Sequence, residues 1–188
     1  VMGIFPADHH VPDIDSFCQT INKAIKAAER DHIVTIGIQP DRAETGYGYI
    51  EKTRFEISDL GDVFNVNSFC EKPDSVTAGI YLGTGRHLWN SGIYIGKVGT
   101  LTREFSQYLP DIYSPLQGGY EHYLQSYSSL PNISLDYGIA EKSKRMAVVP
   151  GKFGWSDIGS WNALAEIFPY DKDNNSCLGN DILFLESN

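Results

Sequence analysis

The sequence predicts an α/β fold built on a mixed sheet, and three observations carry that prediction. Within the first forty residues come an apolar strand (Val1 to Phe5), an amphipathic helix and a β-branched strand, Ile33-Val34-Thr35-Ile36-Gly37-Ile38. Such a unit normally sets its two strands parallel through a right-handed crossover. Two further strands, Tyr47 to Phe55 and Val63 to Cys70, follow one another across the turn region Ser58-Asp59-Leu60-Gly61-Asp62 and should pair antiparallel. Beyond them strand and helix patterns keep alternating, with no repeat, low-complexity run or linker.

In chain order, the first strand is expected to be buried; Pro6 stops it and it opens into Ala7-Asp8-His9-His10. Phe17, Ile21, Ile25 and Ala28 recur at helical spacing, with Asp13 or Asp15 as the N-cap. Gln39-Pro40-Asp41 closes the second strand, and Lys72-Pro73-Asp74 ends the fourth. Asp74 can cap a short helix, Ser75 to Leu82, that stops at Gly83 and Gly85. His87 to Gly92 then leads into a strand, Ile93-Tyr94-Ile95.

Val98, Leu101, Phe105 and Tyr108 mark a helix that ends before Pro110. Tyr120, Tyr123, Leu124 and Tyr127 mark another, and their aromatic stripe reads as core packing. Ser134-Leu135-Asp136-Tyr137 opens a helical turn towards Glu141, and Met146-Ala147-Val148-Val149-Pro150 is the last strand. It delivers Gly154-Trp155-Ser156-Asp157-Ile158-Gly159-Ser160-Trp161, after which a helix runs to Phe168. A polar break from Asp171 to Ser176 and an apolar run between Asp181 and Glu186 mark residues 171–188 as the start of a following segment or linker.

Composition narrows the function. The 188 residues are 41% hydrophobic and 21% charged, enough for one domain with a real core. No run of about eighteen apolar residues exists to span a membrane as a helix. The opening apolar run is too short, and lacks the basic flank, for a signal peptide, and its start within a strand leads us to expect a piece of a longer chain. Cys18, Cys70 and Cys177 have no metal-ligand spacing, and their odd number argues against a disulfide framework and favours a reducing cytoplasm. A formal charge of −9 argues against nonspecific nucleic-acid binding. An anionic substrate would have to be drawn by a few local cations or a metal.

Polar residues interrupt the pattern at four expected strand ends: Asp8, Glu71-Lys72, Asn90 and Asp157. In open α/β sheets such ends converge on one crevice. Two aspartates from distant strands suit Mg²⁺, which takes one or two carboxylates and completes its octahedron with water and phosphate oxygens. Lys72 suits a phosphate, and Asn90, donor and acceptor at once, suits a hydroxyl. The glycines around Tyr47, Gly46 and Gly48, allow a ligand close to the backbone.

Each residue also has a structural reading. Asp157 or Ser156 can cap the helix that follows, Asp8 can cap a turn, Glu71 and Lys72 can be a solvated pair, and Asn90 can hold left-handed geometry before Ser91-Gly92. His9-His10 lacks the second cluster a transition-metal site needs. There is no nucleophile elbow, Cys-His pattern or Gly-x-Gly-x-x-Gly loop.

Six stretches in order, Pro6-Ala7-Asp8-His9, Thr45-Gly46-Tyr47-Gly48-Tyr49-Ile50, Phe69-Cys70-Glu71-Lys72-Pro73, Trp89-Asn90-Ser91-Gly92, Ser134-Leu135-Asp136-Tyr137 and Gly154 to Trp161, resemble those of bacterial mannose-1-phosphate guanylyltransferases (GDP-mannose pyrophosphorylases), a family of sugar nucleotidyltransferases. The resemblance runs from Val1 to about Gly179. It implies a Rossmann-like nucleotide-diphospho-sugar transferase fold, incomplete at the N-terminus, with residues 1–170 as the C-terminal portion of the catalytic domain. The implied reaction joins GTP and mannose 1-phosphate into GDP-mannose and pyrophosphate by in-line attack on the α-phosphorus, with Mg²⁺ as cofactor.

Position by position, Asp8 and Asp157 resemble the Mg²⁺ pair and Lys72 the contact to the sugar-phosphate. Glu71 and Asn90 resemble partners of the mannose hydroxyls, Gly48 and Tyr47 its wall, and Asp136 and Glu141 its supports. The chain departs from the family pattern at Cys70, where Val is usual, at His10, and at Gly138, which costs a helix about 1 kcal/mol relative to Ala. The family's Gly-rich nucleotide loop is not in the chain, so these residues alone are expected not to make GDP-mannose. A homodimer and a following isomerase domain stay open. Other bases or hexoses, or a silent sugar-phosphate-binding regulatory subunit, are the alternatives.

Overall fold

Six strands assemble into one mixed sheet in the computed structural model, which describes residues 1–168. The expected segment 171–188, with Cys177, lies outside the described residues. In chain order the strands are β1 (Met2–Ile4), β2 (Ile33–Ile38), β3 (Tyr49–Glu56), β4 (Phe64–Cys70), β5 (His87–Gly96) and β6 (Met146–Gly151). The helices are α1 (Ile14–Ala28), α2 (Ser75–Thr84), α3 (Val98–Tyr108), α4 (Pro110–Tyr113), α5 (Tyr120–Ser126) and α6 (Trp161–Ile167), with a π-helical turn at Asp136–Ala140. The spatial order is β1-β5-β2-β6-β4-β3, and β3 also pairs with β5.

Local chemistry accounts for most boundaries. Asp13 caps α1 by accepting the amide of Ser16, Asp74 caps α2 by accepting that of Thr77, and Gly85 ends α2 at φ 65°. In β2 side chains alternate across the sheet. Val34 and Ile36 meet Ala24, Ala27 and Ala28 of α1, whereas Ile33 joins Leu101 of α3 and Ile139 of the π-turn on the other face. Each such buried aliphatic side chain contributes about 1.5–3 kcal/mol, and the sheet therefore has a core on both faces.

The parallel pair predicted for the first two strands is present, but β5 lies between them, antiparallel to both. The parallel neighbours in contact are β2 and β6. Because β2 follows one edge of β5, β1 and β3 must share the other: β1 pairs with Tyr94 to Gly96, and β3 with His87 to Trp89. Between them no strand among the described residues pairs with the edge from Asn90 to Ile93, and Gly92 turns there at φ 71°. The β5-β2-β6-β4-β3 pairings close a ring inside which Ile50, Phe64, Leu88 and Val148 pack.

Four expectations are corrected. The first strand is half-exposed (Met2 41%, Ile4 39%), because among the described residues it pairs only with β5. The strand expected at Ile93–Ile95 begins six residues earlier, so Asn90 lies inside β5 and not at a strand end, and Gly92, not Asn90, holds the left-handed backbone. The aromatic stripe of α5 is not core: Tyr120, Leu124 and Tyr127 are exposed, because helical period shows which residues share a face and not what covers it. Finally, Ser160 caps α6 by accepting the amide of Ala163, which leaves Asp157 and Ser156 free of that task.

Candidate functional site

The uncovered edge of β5 is the floor of a cleft. Pro6, which follows β1, lines it from one side and Gly46-Tyr47-Gly48, which precedes β3, from the other. The Asn90 amide donates to the carbonyl of Gly48 at 2.7 Å, which fixes the chain just before β3. Gly48 is buried, and any Cβ there would collide with the carboxylate of Glu71 and press on Asn90. Its glycine serves a close approach between protein groups as well as a ligand's.

Asn90 organises a buried polar chain. Thr35 Oγ1 donates to Asn90 Oδ1 at 2.8 Å, and Asn90 Nδ2 donates to Asp136 Oδ1 at 2.9 Å and to the Tyr94 hydroxyl at 3.3 Å. The Tyr94 hydroxyl also donates to Asp136 Oδ1, at 2.5 Å. Gly92 N–H completes the set on Asn90 Oδ1 at 3.2 Å. With both ends of its amide occupied, Asn90 acts as a holder of Asp136, and Asp136 is the group presented to the cleft. Burial, then the Asp136 charge, pushes the Tyr94 phenol well up, so it remains a donor.

Glu71 and Lys72 follow the last residue of β4. Burial first, then the charges of Asp136 and Glu141, raise the Glu71 carboxyl above the ordinary glutamate range, and Lys72 partly offsets them. Glu141 Oε1 accepts the Glu71 amide at 3.3 Å and so braces the backbone beneath the carboxylate. Lys72 has φ 48°, a strained left-handed conformation for a side-chain-bearing residue. Its ammonium stands 3.9 Å from Glu71 Oε1 and remains largely exposed, available to an anion.

The other wall is aromatic. Tyr47 meets Trp89 edge to face at 5.1 Å and Trp155 at 5.3 Å, and its hydroxyl donates to Asp157 Oδ1 at 2.8 Å. Burial, then the bond to Asp157, drives the Tyr47 phenol up, so it keeps its proton. The amide of Gly159 donates to the same Asp157 oxygen at 3.0 Å, and Ile158 turns at φ 51°, rare for a β-branched residue. This tight turn aims Asp157 into the cleft.

A two-residue bridge joins the ends of the chain: His10 N donates to Ser156 O at 2.8 Å, and Ser156 N to His10 O at 3.1 Å. It brings the segment that bears Asp8 and His9 against the segment that bears Asp157. Burial lowers the pKa of His9 from its ordinary value, against the opposing pull of Asp8 and Asp157.

Of the residues singled out by sequence, Tyr47, Gly48, Glu71, Lys72, Asn90 and Asp157 line one cleft together with Asp136, while Asp8 is exposed beside it. Thr35, Tyr94, His9 and Trp155 escaped the sequence reading as site residues. Thr35 had a signal, being the one hydroxyl in the β-branched run of β2.

The carboxylates of Asp8 and Asp157 offer hard oxygen donors; Asp157 Oδ2 and both oxygens of Asp8 accept no hydrogen bond among the described residues. No group of three His, Cys, Asp or Glu gathers to hold a metal among those residues. The donor set thus fits an ion of the Mg²⁺ kind, completed by water and phosphate oxygens, and not a closed structural site.

The family model described as nucleotidyl transferase matches residues 1–174. The chain is 37% identical to a mannose-1-phosphate guanylyltransferase of Escherichia coli, over 100% of this chain and 42% of that protein. It is also 37% identical to one of Salmonella montevideo, over 96% of this chain and 41% of that protein. A solved structure from Thermus thermophilus, described as a mannose-1-phosphate geranyltransferase, superposes with a TM-score of 0.81 at 35% identity, over 90% of this chain and 50% of that one. The chain spans about two fifths of the length of the curated relatives it matches.

Proposed function

The chain belongs to the nucleotidyl transferase family, and from that premise we propose that the protein containing it forms GDP-mannose and pyrophosphate from GTP and mannose 1-phosphate. The observation that carries this reading is a cleft in which a largely exposed lysine, Lys72, stands beside the hydroxyl acceptors Glu71 and Asp136 and the held carboxylate Asp157. One cation for a phosphate and several acceptors for hydroxyls describe a sugar phosphate. Residues 1–170 would form the C-terminal portion of the catalytic domain, and residues 171–188 would lead into a following segment. A cytoplasmic location goes with this reading; no helix among the described residues is long and apolar enough to cross a membrane.

The chemistry needs no protein nucleophile. A phosphate oxygen of the sugar phosphate attacks the α-phosphorus in line, and pyrophosphate leaves, so the protein must hold two anions together and offset growing charge. Lys72 binds the sugar's phosphate; Glu71, braced by Glu141, and Asp136, held by Asn90 and Tyr94, accept from ring hydroxyls. Tyr47 fixes the orientation of Asp157, and the aromatic wall excludes water from that side. Asp8 and Asp157 would hold Mg²⁺, which supplies charge neutralisation at the phosphoryl oxygens.

The intact protein should produce GDP-mannose and pyrophosphate from GTP, mannose 1-phosphate and Mg²⁺, and lose that turnover to a chelator. Preference for another nucleotide or hexose 1-phosphate in a substrate panel would overturn the assignment within the family, and turnover with no pair would overturn the enzyme. We expect no turnover from the 188 residues alone.

A further inference from the structure

His9 takes no part in the steps above, yet its ring is held in a fixed orientation. The indole N–H of Trp155 donates to His9 Nδ1 at 3.0 Å, with the rings perpendicular at 5.2 Å between centroids. An indole nitrogen only donates, so Nδ1 must offer its lone pair, and the ring proton then resides on Nε2. Trp155 is itself packed against Tyr47, and the His10–Ser156 bridge ties together the segments bearing the two rings. Neither ring can turn without breaking a neighbour's contact.

His9 lines the cleft with Lys72 and Asp157, and its Nε2–H has no hydrogen-bond partner among the described residues. A fixed donor beside a lysine and carboxylates, left open on the ligand side, suits an anionic oxygen. We propose that His9 is a further catalytic residue, a neutral Nε2–H donor to a phosphoryl oxygen of the bound substrates, with its tautomer set by Trp155. The inference rests on the phosphoryl-transfer reading above; it also gives Trp155 a task that the sequence left unassigned.

The test has two arms on the intact protein. In the first, histidine labelled with ¹³C and ¹⁵N is followed by NMR at one neutral pH. His9 should show the Nε2–H tautomer, lose that preference in Trp155→Phe, and shift when mannose 1-phosphate or inorganic pyrophosphate is added. An Nδ1–H tautomer in the wild type, or signals that neither anion moves, would overturn the proposal even if no turnover were found with any substrate pair.

In the second arm, His9→Ala should lower kcat/KM about 10- to 100-fold, the range for one hydrogen bond to a charged group, and His9→Gln, which restores an N–H, should recover most of it. A rise in KM for mannose 1-phosphate would place the accepting oxygen on the sugar phosphate. A rise in KM for the nucleotide would place it on the α-phosphate, and a fall in kcat alone would place the bond in the transition state. Equal loss in the Ala and Gln variants, or none in either, would sink the idea. If another substrate pair proves to be the true one, the same ratios apply to it, so a wrong substrate assignment and a wrong role for His9 remain separable.

Discussion

Lys72 pairs its exposed ammonium with a backbone that few lysines adopt, at φ 48°. Strain of that kind persists where the surrounding structure over-determines it, here between β4 and the buried ring of Pro73. Lys72→Ala removes a charge-assisted contact worth about 1.5–3 kcal/mol, and we expect it mainly as a higher KM for mannose 1-phosphate in steady-state kinetics. An unchanged KM would take Lys72 out of the site. Glu71 makes the complementary case, since burial, Asp136 and Glu141 raise its pKa above the ordinary value of 4.5. The folded state therefore holds this proton more tightly than the unfolded state, and the stability so gained is full below 4.5 and is lost as pH rises through the folded value. Glu71→Gln should melt higher than the wild type at neutral pH, and the gap should close as pH falls below the ordinary glutamate range. A gap independent of pH would show that the Glu71 charge is not strained.

Among the elements, the π-helical turn at Asp136–Ala140 illustrates how context overrides propensity. As a helix residue Gly138 looks like a defect, and alanine in its place should help by about 1 kcal/mol. In the structure Gly138 is buried, and a Cβ there would lie 2.8 Å from Leu109 Cδ1. Gly138→Ala should therefore destabilise the protein, by about 1–3 kcal/mol for an overpacked site, in urea denaturation. Since the turn presents Asp136 to the cleft, activity should fall with it. β5 teaches a related lesson. Asn, Ser and Gly favour turns, so the sequence predicts the strand only from Ile93, yet pairing with β2 and β3 holds Trp89 and Asn90 in the sheet and leaves only a kink at Gly92.

At the scale of the molecule, a formal charge of −9 surrounds a cleft that, in the proposed reaction, receives two anions. The distant carboxylates repel a phosphate over many ångströms, whereas Lys72 attracts it at contact. Salt near 0.15 M shortens the Debye length to about 8 Å and weakens the distant repulsion more than the contact. KM for mannose 1-phosphate should stay level or fall as salt rises from a low value, and a steep rise would mean that general attraction steers the substrate. The same scale decides which features were legible in advance. The α/β class, the Asp13 and Asp74 caps and the β3–β4 pair are local, written in period, turn chemistry and residue type, so sequence alone determined them. The insertion of β5 between β1 and β2, the exposure of the α5 stripe, the Thr35–Asn90–Asp136 chain and the Trp155–His9 pair join residues up to 146 positions apart, and only the tertiary structure decided them. The physical reason is that a residue type states what a side chain can bond or bury, while its partner is chosen by which strands share an edge.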